Sequence, residues 1–290
     1  MFKMPDREGA GNGRIEKLDP NLRTNSLTGQ EGLRFYDVTQ PPFQVFGLGR
    51  AQGDGFFRMP PKAAGKVSEG VGSLCFHTAG GRLRFCTDSG QIAVRAGLKD
   101  LCRFSHMPLT GTGGFALYEK KGAEWTYVHT FVPPYDMTEG YTALKEFPDR
   151  RMRSFTLYFP LYSGVSRLEV GLEADAALME GEGYRYPLPV VFYGSSITQG
   201  GCVSRPGNDY PSIVARRCGC DLINLGFAGN AKGEREMARY LAGLPMSVFV
   251  CDYNQRAGFG VFGTYPGAFP GNDPGEAAGA AGSFAEPAEF

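Results

Sequence analysis

The sequence predicts a β-sandwich of jelly-roll type over residues 33–186, followed by an open, doubly wound α/β domain that starts at residue 187. Three observations predict this. Between Leu33 and Glu173, short alternating or aromatic-rich runs are divided by regular turn signals, with scarcely any helical periodicity. After Pro187 an uninterrupted apolar run over 188–193 has the character of a strand buried on both faces of a parallel sheet. Beyond it the patterns alternate in a β-α-β-α-β order, which places ligands at the strand C-termini.

The elements follow in order. Residues 1–32 are polar and turn-rich, a lead-in. Arg82-Leu83-Arg84-Phe85-Cys86 and Gln91-Ile92-Ala93-Val94-Arg95 flank Asp88-Ser89-Gly90, a hairpin signature. Phe115-Ala116-Leu117-Tyr118 and Trp125-Thr126-Tyr127-Val128 flank Lys121-Gly122 in the same way. Residues 154–159 and 167–170 continue the strand series. In the second domain a short helix over 210–217 is closed by Gly219, and a strand over 222–225 follows. Met237, Tyr240, Leu241 and Leu244 recur at helical spacing, and 246–251 reads as a third strand. From Gln255 onward the chain is rich in Gly, Ala, Pro and Phe, with neither strand nor helix period.

Composition excludes several function classes. Thirty basic and thirty acidic residues cancel, and no basic block stands out. Nucleic acid and a polybasic membrane anchor are therefore not expected partners. No apolar run approaches the length of a membrane span, and the first residues lack a signal-peptide core. Seven cysteines, without the spacing of a disulfide framework, point to a reduced, cytoplasmic protein. No Walker motif is present, so no nucleotide cofactor is expected. The three histidines, His77, His106 and His129, have no metal-ligand spacing, so no metal is expected either.

Three segments end successive strands and converge on one sheet edge: Gly194-Ser195-Ser196-Ile197-Thr198, residues 224–230, and residues 251–256. A serine at a strand-to-helix turn stands clear of the sheet, with backbone N–H groups behind it to receive developing negative charge. Ser195 reads more simply as elbow packing. Cys202, Cys218 and Cys251 read as core or near-core thiols, and Arg205 as a loop residue facing solvent or substrate.

Together these segments resemble the SGNH, or GDSL-like, hydrolases, and among them the bacterial branch with an N-terminal β-sandwich. The resemblance covers roughly 33–254 and is carried by Tyr193-Gly194-Ser195-Ser196-Ile197-Thr198-Gln199-Gly200, by residues 204–208 and, less specifically, by Phe35-Tyr36-Asp37 and residues 56–60. It implies a flavodoxin-like three-layer α/β/α hydrolase domain, truncated here to residues 187–254. It also implies Ser196 as nucleophile, with the N–H groups of Ser196 and Gly229 as oxyanion donors. The family's third donor is an asparagine expected two residues beyond Asn254, where this chain has Arg256; Asn254 is the candidate substitute. The implied substrate is a small ester or an acetylated carbohydrate, without cofactor.

The family's general base is a histidine preceded by an aspartate near the C-terminus of the domain. This chain has no histidine after the α/β strands begin. The departure starts inside a family motif, and a reading-frame change over 255–290 accounts for the altered composition, the lost asparagine and the missing base together. A natural flexible linker or a degenerate tail is the alternative. Two functions remain: a serine esterase that is nearly inactive as the chain stands, and a non-catalytic carbohydrate-binding or oligomerisation protein. Three parallel strands alone also leave an apolar edge and face, so low solubility or a homo-oligomer is expected unless the tail or another copy covers them.

Overall fold

The computed structural model describes residues 32–51 and 55–252. Asn254 and the segment 255–290 lie outside the described residues, as does the lead-in up to residue 31.

The strands are β1 (Leu33–Asp37), β2 (Gln44–Phe46), β3 (Gly49–Ala51), β4 (Gly55–Phe57), β5 (Arg82–Thr87), β6 (Gln91–Leu98), β7 (Phe115–Lys121) and β8 (Glu124–Phe131). They continue with β9 (Gly140–Glu146), β10 (Arg153–Tyr158), β11 (Val165–Glu173), β12 (Leu178–Glu180), β13 (Tyr186–Gly194), β14 (Cys220–Gly226) and β15 (Val248–Asp252). The helices are α1 (Pro61–Val67), α2 (Glu69–Leu74), α3 (Leu109–Thr112), α4 (Ser196–Gln199), α5 (Tyr210–Cys218) and α6 (Arg235–Ala242).

Two antiparallel sheets form the sandwich, one in the order β1-β11-β6-β9 and the other β12-β5-β10-β7-β8, with β2 also on β5. Their facing residues alternate along each strand as the two-residue period requires. Leu83 and Phe85 of β5, Ile92 and Val94 of β6, Phe155 and Leu157 of β10, and Val170 and Leu172 of β11 meet in one buried core. The predicted second hairpin is present: β7 pairs with β8, and Gly122 takes the positive φ of its turn.

The first predicted hairpin is not. β5 pairs with β10 and β6 with β11 and β9, so Asp88-Ser89-Gly90 crosses from one sheet to the other. Both strands are largely buried, and each gains more by joining the facing sheets than by pairing locally. The turn is tied to β11 instead, where the Gly90 N–H donates to the Glu173 carboxylate at 2.7 Å.

The second domain is a parallel sheet in the order β14-β13-β15. Val190 aligns with Leu222 and Val248, so Gly194, Gly226 and Asp252 end their strands at one level. Phe192, Ala215 and Leu222 pack on one face, under α5. On the other face Val191, Tyr193, Leu225 and Phe227 meet Met237 and Leu241 of α6. That face is completed by Met59, Ala64, Val71 and Cys75, from α1, α2 and their flanks. A segment that precedes most of the sandwich in the chain thus forms part of the helical layer of the α/β sheet. Its glycines, Gly65, Gly70 and Gly72, weaken helix propensity and hide the helical period from a sequence reading. Pro61 at the start of α1 and the Ser68 hydroxyl, which caps the Val71 N–H at 3.2 Å, set the two helix starts.

Two buried arginines fasten sandwich to sheet. Arg82, 1 % exposed, pairs with Asp221 and donates to the Leu222 carbonyl. Arg58, 4 % exposed, has no carboxylate partner among the described residues. Its Nε donates to the His77 carbonyl at 2.7 Å and its Nη2 to that of Leu74 at 2.8 Å. Its Nη1 reaches the carbonyls of Asn224 and Gly226, and its guanidinium lies 4.7 Å from the centre of the Phe227 ring. Burial brings Arg58 down to about 10, so it remains a cation at neutral pH. Elsewhere along the contact, Arg216 of α5 lies over the rings of Tyr118 and Tyr158 on the sandwich. Among the described residues no helix is long and apolar enough to cross a membrane.

Candidate active site

The site grows from the C-terminal ends of the three parallel strands. At Gly194 β13 stops, Ser195 adopts extended geometry as the N-cap, and α4 turns for only four residues before Gly200 closes it with a positive φ. The Ser195 hydroxyl accepts from the Ile197 N–H at 3.4 Å, so this serine is spent on the cap. The Ser196 carbonyl accepts from the N–H groups of Gly200 and Gly201 and from the Tyr162 hydroxyl at 3.3 Å. Its own hydroxyl has no hydrogen-bond partner among the described residues, and the residue is half-buried.

The elbow is locked to both neighbouring strands. Thr198 Oγ1 bonds Asp252 Oδ2 at 3.0 Å and the Tyr210 hydroxyl at 3.1 Å, and Tyr210 donates to the same carboxylate. Burial pushes the Tyr210 phenol well above its ordinary range, so it stays a donor. The Asn224 side chain donates to the Thr198 carbonyl at 2.8 Å and accepts from the Gly226 N–H at 2.9 Å.

Such contact demands glycine at the strand ends. A Cβ on Gly226 would lie 2.2 Å from the Gln199 nitrogen and 2.6 Å from the Thr198 carbonyl carbon. Those are backbone atoms and cannot swing aside. We predict that Gly226→Ala costs about 3 kcal/mol, whereas Gly229→Ala, strained by its positive φ but in open space, costs about 1 kcal/mol. Urea melts of both variants test this, and equal costs would contradict it.

The loop after β14 is fastened to the elbow as well. The Phe227 N–H donates to the Gly194 carbonyl at 2.8 Å, and the Ala228 N–H to Gln199 Oε1 at 3.0 Å. Gly229 is exposed, and its N–H has no partner among the described residues.

Of the three histidines, one unexpectedly comes to the elbow. Gln199 Nε2 bonds the Leu161 carbonyl at 3.1 Å and His77 Nδ1 at 3.2 Å. His77 Nε2 lies 3.1 Å from Asp100 Oδ2, and Asp100 Oδ1 accepts from the Gly164 N–H at 2.6 Å. The Ala228 N–H fixes the Gln199 amide orientation, so Nε2 donates and His77 Nδ1 must accept. His77 therefore carries its proton on Nε2 and gives it to Asp100. Burial alone would raise the Asp100 carboxyl, but the His77 and Gly164 donors hold it below its ordinary value. With both ring nitrogens engaged, His77 is a strut and not a base for Ser196. His106 stacks on Phe104, and His129 meets Phe131 edge to face. Burial, with Lys145 nearby, lowers His129 to about 4 and keeps it neutral.

The structure thus brings Ser196 and the Gly229 loop to one strand-end edge, while Asn254 falls outside the described residues. The seven cysteines are free thiols. The Asp100–His77–Gln199–Ala228 relay is the part that sequence reasoning missed. Its members are scattered along the chain without motif spacing, and only Gln199 and Ala228 lie inside recognisable segments.

Comparison with known proteins agrees with the two-part fold. Residues 33–178 match the family model GxDLY, described as the N-terminus of SGNH-hydrolase-type esterases. Residues 188–255 match the GDSL-like lipase/acylhydrolase family. No curated protein matches the sequence. Among solved structures, a GDSL-like lipase from Bacteroides ovatus superimposes with a TM-score of 0.70 at 27% identity, over 76% of this chain and 64% of its own. The chain therefore spans less than two thirds of that protein's length. The salicylyl-acyltransferase SsfX3 of a tetracycline biosynthetic pathway shares the fold, with a TM-score of 0.59 at 24% identity over 75% of this chain and 61% of its own. With half of its length matched by the esterase N-terminal model and the parallel sheet by the GDSL model, the chain belongs to the SGNH (GDSL-like) hydrolase family, in the form that carries a β-sandwich ahead of the hydrolase sheet.

Proposed function

We propose that this chain carries the acyl-binding half of a serine esterase for small or carbohydrate-linked acetyl esters, with Ser196 as the nucleophile. The observation that supports this reading is the Ser196 hydroxyl at the strand-end elbow, on the same edge as a loop that carries the Gly229 N–H, both unengaged among the described residues. Ser196 Oγ attacks the ester carbonyl, and its proton passes to the departing alkoxide. The Ser196 and Gly229 N–H groups stabilise the oxyanion formed in between. Such donors act on charge that exists only in the transition state, and each is worth roughly 3–4 kcal/mol. Water then releases the acid and regenerates the hydroxyl.

Among the described residues neither proton transfer has a histidine base, because His77 is occupied and no other histidine contacts the elbow. Both acylation and deacylation are slowed. An activated ester compensates for the first through its good leaving group, but nothing compensates for the second. Long incubation with p-nitrophenyl acetate should therefore leave an acetyl group on Ser196, visible by peptide mass spectrometry and absent from Ser196→Ala. Acetylation spread over surface lysines and serines, with Ser196 spared, would sink the proposal.

A further inference from the structure

We infer that His77, Asp100 and Cys102 form a binding site for a divalent transition metal of the zinc class, and that filling it releases the Ala228 N–H from Gln199. The three side chains meet where the loop after β6 passes the start of β11. His77 Nε2 and Asp100 Oδ2 are 3.1 Å apart, Cys102 Sγ is 3.9 Å from the same oxygen, and all three ligand atoms lie within 4.8 Å of one another. Tetrahedral zinc, with bonds of about 2.0–2.3 Å, spaces its ligand atoms about 3.3–3.6 Å apart. Small side-chain rotations therefore suffice. Imidazole, carboxylate and thiolate together suit zinc or cobalt and disfavour calcium or magnesium, which take oxygen ligands. Asp100 is exposed, which gives a path of entry and room for a water as fourth ligand. Its Oδ1 stays anchored on the Gly164 N–H, as ligating carboxylates usually are.

The coupling follows from proton positions. A metal on Nε2 displaces that proton, and the neutral ring then carries its proton on Nδ1. Nδ1–H now faces the Gln199 NH₂, donor against donor. The amide must turn so that Oε1 accepts from His77, and this withdraws the acceptor of the Ala228 N–H. The Cys102 thiol loses its proton to solvent.

Cobalt(II) added to the reduced full-length chain should bind in equimolar amount, show a thiolate-to-metal charge-transfer band and be displaced by zinc. Cys102→Ser should abolish the band, while Cys202→Ser and Cys218→Ser retain it. Asp100→Asn should weaken binding at least about tenfold. Zinc loading should speed amide hydrogen exchange at Ala228. A band that survives Cys102→Ser, no binding up to millimolar cobalt, or unchanged Ala228 exchange would each overturn the inference. None of these readouts involves hydrolysis, so they fail or succeed independently of the ester reading.

Discussion

Arg58→Ala is expected to lower folding stability by about 3–5 kcal/mol. Two effects oppose one another. Removing a buried cation relieves its desolvation, which is several kcal/mol for an isolated ion. Yet the same change strips donors from four carbonyls, those of His77, Leu74, Asn224 and Gly226, at about 1–3 kcal/mol each where no water replaces them. It also leaves a void beside Phe227. The second set wins because the guanidinium ties together α2, the segment after it and the end of β14 through four carbonyls at once. Arg58→Lys should recover less than half of the loss, since an ammonium cannot span carbonyls on both sides as the planar fork does. Denaturant midpoints of the three proteins provide the check. If Arg58→Met matched the parent, packing of the stem and not the hydrogen-bonded fork would hold the domains together.

Arg58 also marks the border of what could be read from the chain. The sandwich and the parallel sheet were legible because their periods differ: alternation in residues 82–95 and 115–128, an unbroken apolar run in 188–193. Pairing partners were less so. The turn at Asp88-Ser89-Gly90 carries hairpin chemistry, but a local turn does not say whether its strands stay in one sheet, and here tertiary burial decides. Helices α1 and α2 were invisible, since their apolar face, Ala64, Val71 and Cys75, is small-residue and interrupted by glycine. The elbow itself was readable at Gly194-Ser195-Ser196, as a sharp turn needs small residues in order. The relay from Asp100 to Ala228 was not, because a fold, and not a spacing, puts a sandwich histidine against Gln199.

Steady hydrolysis of p-nitrophenyl acetate by this chain is expected to stay close to the uncatalysed rate. In serine hydrolases, loss of the histidine alone costs on the order of 10⁶ in turnover, and the oxyanion donors with substrate binding leave roughly 10³–10⁴ over water. On the proposed mechanism even that remainder is reduced, because acetyl-Ser196 would accumulate and block the site after one turnover. The components of such a unit are non-additive: once the base is gone, removing the nucleophile costs little more. Ser196→Ala should therefore lower the steady rate at most a few fold, while eliminating the acetyl adduct. Among the described residues His77 is the one that could reverse this expectation, since it is the only histidine within hydrogen-bond reach of the elbow helix. Its Nδ1 accepts from Gln199 and its Nε2 donates to Asp100, so it has no lone pair to offer Ser196. A rate well above background that vanished in both Ser196→Ala and His77→Gln would show that the relay opens during catalysis and that the sandwich supplies the base. Background turnover with a stable adduct, in contrast, would establish that Ser196 is acylated without an effective proton carrier.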